Sequence, residues 1–383
     1  MTPFDPNVAA AAWLAALPAT DRLAADHATD LRLWTWAAAG LLMIAVCALI
    51  LRLGLLARLR EMIERNGPRP WLAGAACAGV FALAVTGAKA PLDAFGAWRK
   101  NLILGNADAG LAADLAHAFA GVLPVVGAAV VFVPLAQWLA RRRPRAWPAI
   151  LGAALCAMIL AVGWLPYALS AGPALAPLPA GPVREGVLHL IHGAGIPATE
   201  VYASADPDFD ADVTGGFGRA QVVVGPRLAG ASPAEARAFV GHVMGHYAHA
   251  DVFTIFLVYG LLTIAALAAV PLLFAPAARL LGAGTLQGPA DPQGLPVVLA
   301  ILIAAAAIAT PLSSAYIRWV NVRADAFSLD HAREPDGLAA SLEREWDHQS
   351  VDPSPLERAL FYTHPPLKSR LVHAMAWKAA HGG

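Results

Sequence analysis

Six apolar runs decide what this chain of 383 residues can fold into. They lie at 33–51, 71–88, 118–138, 147–169, 253–275 and 295–320. Each is close to the ~20 residues that carry a helix across a bilayer core. With 58% hydrophobic and only 14% charged residues, the chain is too apolar for an ordinary soluble domain, and a polytopic membrane protein is expected. The alternative, buried helices of a large soluble protein, must explain six runs of near-spanning length at once. The formal net charge is zero, which leaves no electrostatic footprint for nucleic acid. Cys47, Cys77 and Cys156 all sit in apolar runs, so neither a disulfide framework nor a zinc knuckle is expected.

The segments between the runs set the organisation. Residues 1–31 form an N-terminal segment whose Asp21, Asp26 and Asp30 are unlike a cleaved signal peptide. Residues 32–170 are read as four spans with loops, 171–252 as a soluble block, 253–320 as two further spans, and 321–383 as a second, helical soluble part. The first loop carries Arg52, Arg58, Arg60, Arg65 and Arg69, and the third carries Arg141, Arg142, Arg143 and Arg145. The positive-inside rule then places these loops in the cytoplasm and the N-terminus and both soluble parts outside, but long domains evade that rule, so the side they face stays open. Pro173, Pro177, Pro179 and Pro182 make the entry to the first soluble block a stiff, extended linker. Beyond it a short helix is predicted over 183–195, a strand over 201–205, and a hairpin of 213–214 with 221–224 around the glycines at 215–218.

The soluble block ends in SPAEARAFVGHVMGHYAHAD, residues 232–251. Ser232 suits a helix cap, Pro233 the first turn, and Glu235 three residues on completes a capping box. His242 and His246 are spaced i, i+4, so both imidazoles leave one helix face a turn apart. That spacing offers two nitrogens to one zinc ion; it serves a buried pair of core histidines equally well. His249 lies about 10.5 Å along the helix axis from His242, too far to join the same ion on an unbroken helix. Further on come NVRADAF at 321–327 and FYTHPPLKSRL at 361–371. Asp325 has Arg323 nearby as an ion-pair partner, and His364 precedes two prolines, which favour an extended or turn conformation.

A hairpin, a two-histidine helix feeding a span, a second span, an Ala-Asp helix and a terminal His-Pro-Pro follow one another in an order that resembles the integral-membrane zinc metalloproteases of the type I CAAX prenyl protease kind. The resemblance covers nearly the whole chain, and DPNVAAAAWLAALPATDRL and PLERALFYTHPPLKSRL resemble bacterial members. It implies a mostly α, polytopic fold with about six transmembrane helices and a split gluzincin-like α+β domain, in a bacterial inner membrane. It implies His242 and His246 as zinc ligands, Asp325 as the residue that orients a histidine, and His364 as an assistant at the substrate carbonyl. The strand at Val222–Val224 would correspond to the edge strand that takes peptide by β-addition.

Two positions depart from the family pattern. Val243 stands where the general-base Glu belongs, and Asn321 stands where the third-ligand Glu belongs. Ala211 also falls where many relatives carry an Asn before the edge strand. A side chain without a proton acceptor forfeits ~10²–10⁴ in rate, and a neutral amide is a poorer zinc ligand than a carboxylate. The resulting expectation is a degenerate protease with zinc weakly held or absent, weak or no peptidase activity, and a retained chamber for a peptide or membrane-protein client within the lipid bilayer. An active endopeptidase with a rearranged site is the alternative. A transporter-like use of the spans is disfavoured because they carry few ionisable residues.

Overall fold

The computed structural model describes residues 4–105, 110–169 and 175–382; Pro173 of the proline-rich entry lies outside them. In chain order the helices are α1 (Pro6–Ala16), α2 (Ala19–Leu53), α3 (Leu55–Glu64), α4 (Pro70–Ile103), α5 (Leu111–Ala120), α6 (Val122–Arg142), α7 (Trp147–Ile159) and α8 (Leu165–Leu169). A π-turn at Leu160–Trp164 joins the last two. Then come α9 (Pro182–Gly193), strands β1 (Val201–Ala203), β2 (Ala211–Thr214) and β3 (Gln221–Val224), and α10 (Pro226–Ala229). The chain closes with α11 (Pro233–Ala248), α12 (Asp251–Leu280), α13 (Leu295–Ala332), α14 (Pro335–Arg344), α15 (Pro355–Phe361) and α16 (Leu367–Ala380). Six helical segments are long and apolar enough to cross a membrane: Ala19–Leu53, Pro70–Ile103, Leu111–Arg142, Trp147–Leu169, Asp251–Leu280 and Pro292–Ala332. All six expected runs fall inside them. Most extend well past the apolar stretch, because helix propensity does not stop where hydropathy does.

The chain divides into two compact units. One comprises residues 27–157 and 260–310 and holds most of the apolar helix length. Its interior is lined by Cys47, Ile50, Cys77, Phe81 and Val85, and by a second cluster around Trp147, Val270, Phe274, Val297 and Ile301. All three cysteines are free.

The other unit comprises residues 1–26, 158–259 and 311–383. Its sheet has the order β1-β3-β2, with β1 parallel and β2 antiparallel to β3. The predicted hairpin is β2–β3. The strand Val222–Val224, expected at the edge, is instead the central one. Its Val222 and Val224 are fully buried, as expected for a strand covered on both faces, and β2 forms the edge. Val187 and Ile191 of α9, Leu228, and Val240 and Met244 of α11 complete this core. A second cluster joins Ala10 of α1 to Leu338, Leu342, Leu371 and Met375 of the C-terminal helices.

Helix α11 begins as its sequence predicts in one respect and not in another. Ser232 caps the amide of Glu235 at 3.2 Å. The Glu235 carboxylate does not return to the cap; it pairs with Arg344, which also binds Asp210 at 2.7 Å. The capping box is therefore half formed, because a guanidinium is the stronger partner for a carboxylate.

The contact that positions the site is between α11 and α13. A Cβ on Gly245 would lie 3.0 Å from Ala324 Cα and 3.1 Å from Phe327 Cβ, and one on Gly241 would lie 3.0 Å from Ser328 Oγ. Ser328 Oγ donates to the Ala238 carbonyl at 2.6 Å. Two glycines one turn apart thus face Ala324 and Ser328 one turn apart, and the helix backbones approach closely. Gly245→Val is expected to destabilise this unit by about 1–3 kcal/mol, the usual cost of overpacking. Gly87→Ala, with nothing within 4 Å of its Cβ, is expected to cost nothing and to stabilise by up to ~1 kcal/mol, the helix propensity of alanine over glycine in the interior of α4. Thermal unfolding of both variants in detergent checks this; equal midpoints would refute the close-approach account.

Candidate active site

Close approach of α11 and α13 sets a carboxylate behind the first histidine. His242 donates Nδ1–H to Asp325 Oδ1 at 2.7 Å. Asp325 is 2% exposed. Arg370 grips it from the far side with two bonds, Nε to Oδ2 at 2.8 Å and Nη2 to Oδ1 at 2.6 Å. The nearby Arg323 considered as the partner of Asp325 goes elsewhere: it pairs with Asp251. Asp251 is fully buried and its other oxygen accepts from His246 Nδ1 at 3.0 Å. Each histidine is therefore backed by an aspartate, and each aspartate by an arginine.

A carboxylate only accepts, so each Nδ1 carries the hydrogen. In the neutral ring the Nε2 lone pair then points forward. The two Nε2 atoms lie 3.1 Å apart. Two lone pairs facing each other at that distance repel unless a cation sits against both. The separation also suits one ion: nitrogens bound tetrahedrally to zinc at about 2.0–2.1 Å stand about 3.3 Å apart. Carboxylate partners on the rear nitrogens are what metal-binding histidines require. These two residues thus fit a zinc ion. Among the described residues, no three His, Cys, Asp or Glu side chains gather as a metal-binding group.

Asn321, one turn before Asp325 on α13, is 2% exposed. Its amide nitrogen donates to the carbonyls of Ile317 at 2.9 Å and Thr363 at 3.3 Å. Both partners are acceptors, which fixes the amide orientation. Its Oδ1 has no hydrogen-bond partner among the described residues. An orphaned buried amide oxygen is a donor atom for a cation, though a neutral one.

The histidines open on a cavity of about 450 Å³. Its wall brings together five of the positions singled out in the sequence, Ala211, His242, Val243, His246 and His364, together with Asp212, Tyr362 and Arg370. Val243 also packs against the hydrophobic core behind the sheet. His364 is reached from the cavity yet surrounded by protein; loss of bulk water, and then the charge of Arg370, push its pKa well down. Burial pushes His242 down to about 4, against the pull of Asp325. Asp212 moves the other way, raised by burial. Asp251 and Arg370 escaped the sequence reading: Asp251 closes the histidine stretch and Arg370 lies six residues past His364, but nothing in their spacing ties them to a histidine.

His242 yields a sign for the acid response. Unfolded, its imidazole protonates below about 6.5; folded, it resists until about 4. The unfolded state therefore takes up the proton first, and stability falls as pH drops from about 6.5 towards 4. The unfolding midpoint of chelator-treated protein should be lower at pH 5 than at pH 7.5, and His242→Gln should flatten that slope. A slope unchanged in the variant would remove His242 as its source.

The sequence matches Peptidase family M48 over residues 177–378, more than half of the chain and the whole of the candidate site. Among solved structures, the fold is similar to the crystal structure of Ste24p from S. mikatae, with a TM-score of 0.52 and 16% identity. That alignment covers 85% of this chain and 84% of the other. No curated protein matches the sequence. Six apolar helices, a small sheet and a paired-histidine helix in this arrangement make the chain an integral membrane protein that belongs to the M48 family of membrane zinc metallopeptidases.

Proposed function

We propose that this protein is a degenerate member of its family, which binds peptide segments of client proteins at the membrane and hydrolyses them slowly or not at all. The observation that carries the reading is the pairing of an intact histidine scaffold with Val243 on the same cavity wall. His242 and His246 would hold zinc, with the Asn321 amide as a weak third donor. When bound, a zinc ion supplies Lewis-acid polarisation to a peptide carbonyl and to water. The remaining work falls to the chain. Asp325 and Asp251 keep both rings in the tautomer that presents Nε2. His364 offers a neutral imidazole where a substrate carbonyl would enter. Val243 cannot accept the proton that attacking water must lose, and its methyl groups dry that part of the wall. The terminal segments and spans support a bacterial inner membrane as the location.

A second reading rests on Asp212. Its carboxylate lies on the cavity wall with His246, carries no ion pair among the described residues, and is raised by burial. A carboxylate on that wall, with burial favouring its protonated form, could take the proton that attacking water loses, and would make this an active endopeptidase with a rearranged site.

Two measurements separate these readings. Metal analysis should find wild type substoichiometric in zinc after chelation, and Asn321→Glu should raise retention markedly; a full chelator-resistant equivalent in wild type would mean that a third ligand exists elsewhere. Peptide cleavage should be negligible in wild type and measurable in the Val243→Glu, Asn321→Glu double variant. The two changes should be strongly non-additive, because they serve one unit. Wild-type cleavage at ordinary enzyme rates, abolished by His246→Ala and by Asp212→Asn, would replace the first reading with the second.

A further inference from the structure

The edge strand of the sheet is partly closed by the chain itself. Gly225 N–H donates to the Asp210 carbonyl at 2.6 Å, and residues 210 and 225 stand opposite in the β2–β3 register. In an antiparallel ladder such pairs alternate. Asp212 and Thr214 therefore turn their backbone groups inward to β3, and Ala211, Val213 and Gly215 turn theirs out to the free edge. Two of those three are taken. The Val213 carbonyl accepts from Tyr167 Oη, and the Gly215 N–H donates to the Tyr167 carbonyl at 3.0 Å. The Val213 N–H donates to the carboxylate of Asp212 at 2.8 Å. Packing holds this segment in place: a Cβ on Gly216 would lie 3.2 Å from Ala168 Cβ. Ala211 has no such cap among the described residues, and Ala211 lines the cavity beside His242 and His246.

We infer that Tyr167 and Asp212 end the peptide-pairing edge at Ala211, so that a peptide bound beside the histidines makes one backbone pair there and must bend away before Val213. The inference rests on the peptide-binding reading above. It makes Tyr167 a specificity-determining residue: peptide residues beyond the Ala211 pair add no backbone bonds, so the chamber does not favour long extended peptides over short or bent ones. The mechanism is ordinary strand addition, in which backbone hydrogen bonds supply affinity, cut short because the next two outward positions already have partners. A longer peptide gains nothing by displacing Tyr167, since each new bond replaces an existing one.

The test is a length series. Fluorescent peptides of three, five, seven and nine residues, acetylated and amidated to remove end charges, are titrated into the full-length protein in detergent and followed by anisotropy. In wild type, affinity should be flat once the peptide is long enough to pair with Ala211. In Tyr167→Ala the longer peptides should bind more tightly, by roughly two- to tenfold for the one hydrogen bond recovered at the Val213 carbonyl, and the shortest should be unchanged; the Gly215 amide stays on the backbone carbonyl of residue 167. Tyr167→Phe frees the same Val213 carbonyl but leaves the ring in place beside it, so it should show a smaller gain of the same sign; it decides the matter alone if the alanine variant does not fold. The same length dependence in all three proteins overturns the inference while leaving peptide binding intact. No binding of any peptide by any of the three overturns the peptide-binding reading itself, and this inference with it.

Discussion

The site depends on one buried line of charge, Arg370 to Asp325 to His242. Asp325 is almost wholly excluded from solvent, and a carboxylate in that position is tolerated only when it is paired and hydrogen-bonded. Arg370 does this with both prongs of its guanidinium, the geometry that Lys cannot reproduce. The line joins three segments distant in sequence: α16 supplies the arginine, α13 the aspartate and α11 the histidine. It can form only because Gly241 and Gly245 let α11 approach α13 at backbone distance. The second line, Arg323 to Asp251 to His246, repeats the pattern at the other end of the histidine pair. The glycine placed between the histidines therefore does not break the helix; it allows the approach that orients one of them.

The two lines explain how the scaffold persists without its carboxylates. Each imidazole is oriented from its rear nitrogen, so its direction does not depend on what stands in front. Ring geometry is then set by the Arg–Asp pairs alone, and on the reading proposed above metal affinity would be set separately, by the residue at 321. Val243 is likewise embedded. It packs against the core behind the sheet, so a glutamate there would exchange apolar contacts for a partly desolvated charge. A buried carboxylate that gains no partner costs more than the methyl groups it replaces contributed.

The fold was readable in the sequence to the extent that its cause is local. Span existence follows from apolar length alone, which is why all six were found. The histidine helix announces its start with Ser232 and Pro233 and its paired imidazoles with an i, i+4 spacing, and the order of the motifs names His242, Asp325 and His364, which the fold brings to one region. What the sequence concealed is pairing between distant segments. Arg323 lies two residues from Asp325, yet successive helix positions two apart do not face each other, and Arg370, reached across 45 residues, took its place. The same holds for Glu235, whose local partner lost to Arg344 across 109 residues. Val222–Val224 reads as a strand from composition, but its central place depends on β1, a three-residue strand whose parallel pairing leaves no local signature.

Asn321 shows how far a single amide can substitute for a carboxylate. Its nitrogen ties α13 to the backbone of the Thr363 carbonyl, and so holds the loop that presents His364. A glutamate has no donor to offer those two carbonyls and would face them with like partial charge. It would therefore be stable in this chain only with its oxygens turned towards a cation. The amide satisfies the loop whether or not a metal is present, whereas the carboxylate of a working site satisfies it only through the metal. The amide at 321 thus makes the fold around His364 independent of any metal, and a chamber that keeps its shape without metal is compatible with the peptide-binding role proposed above.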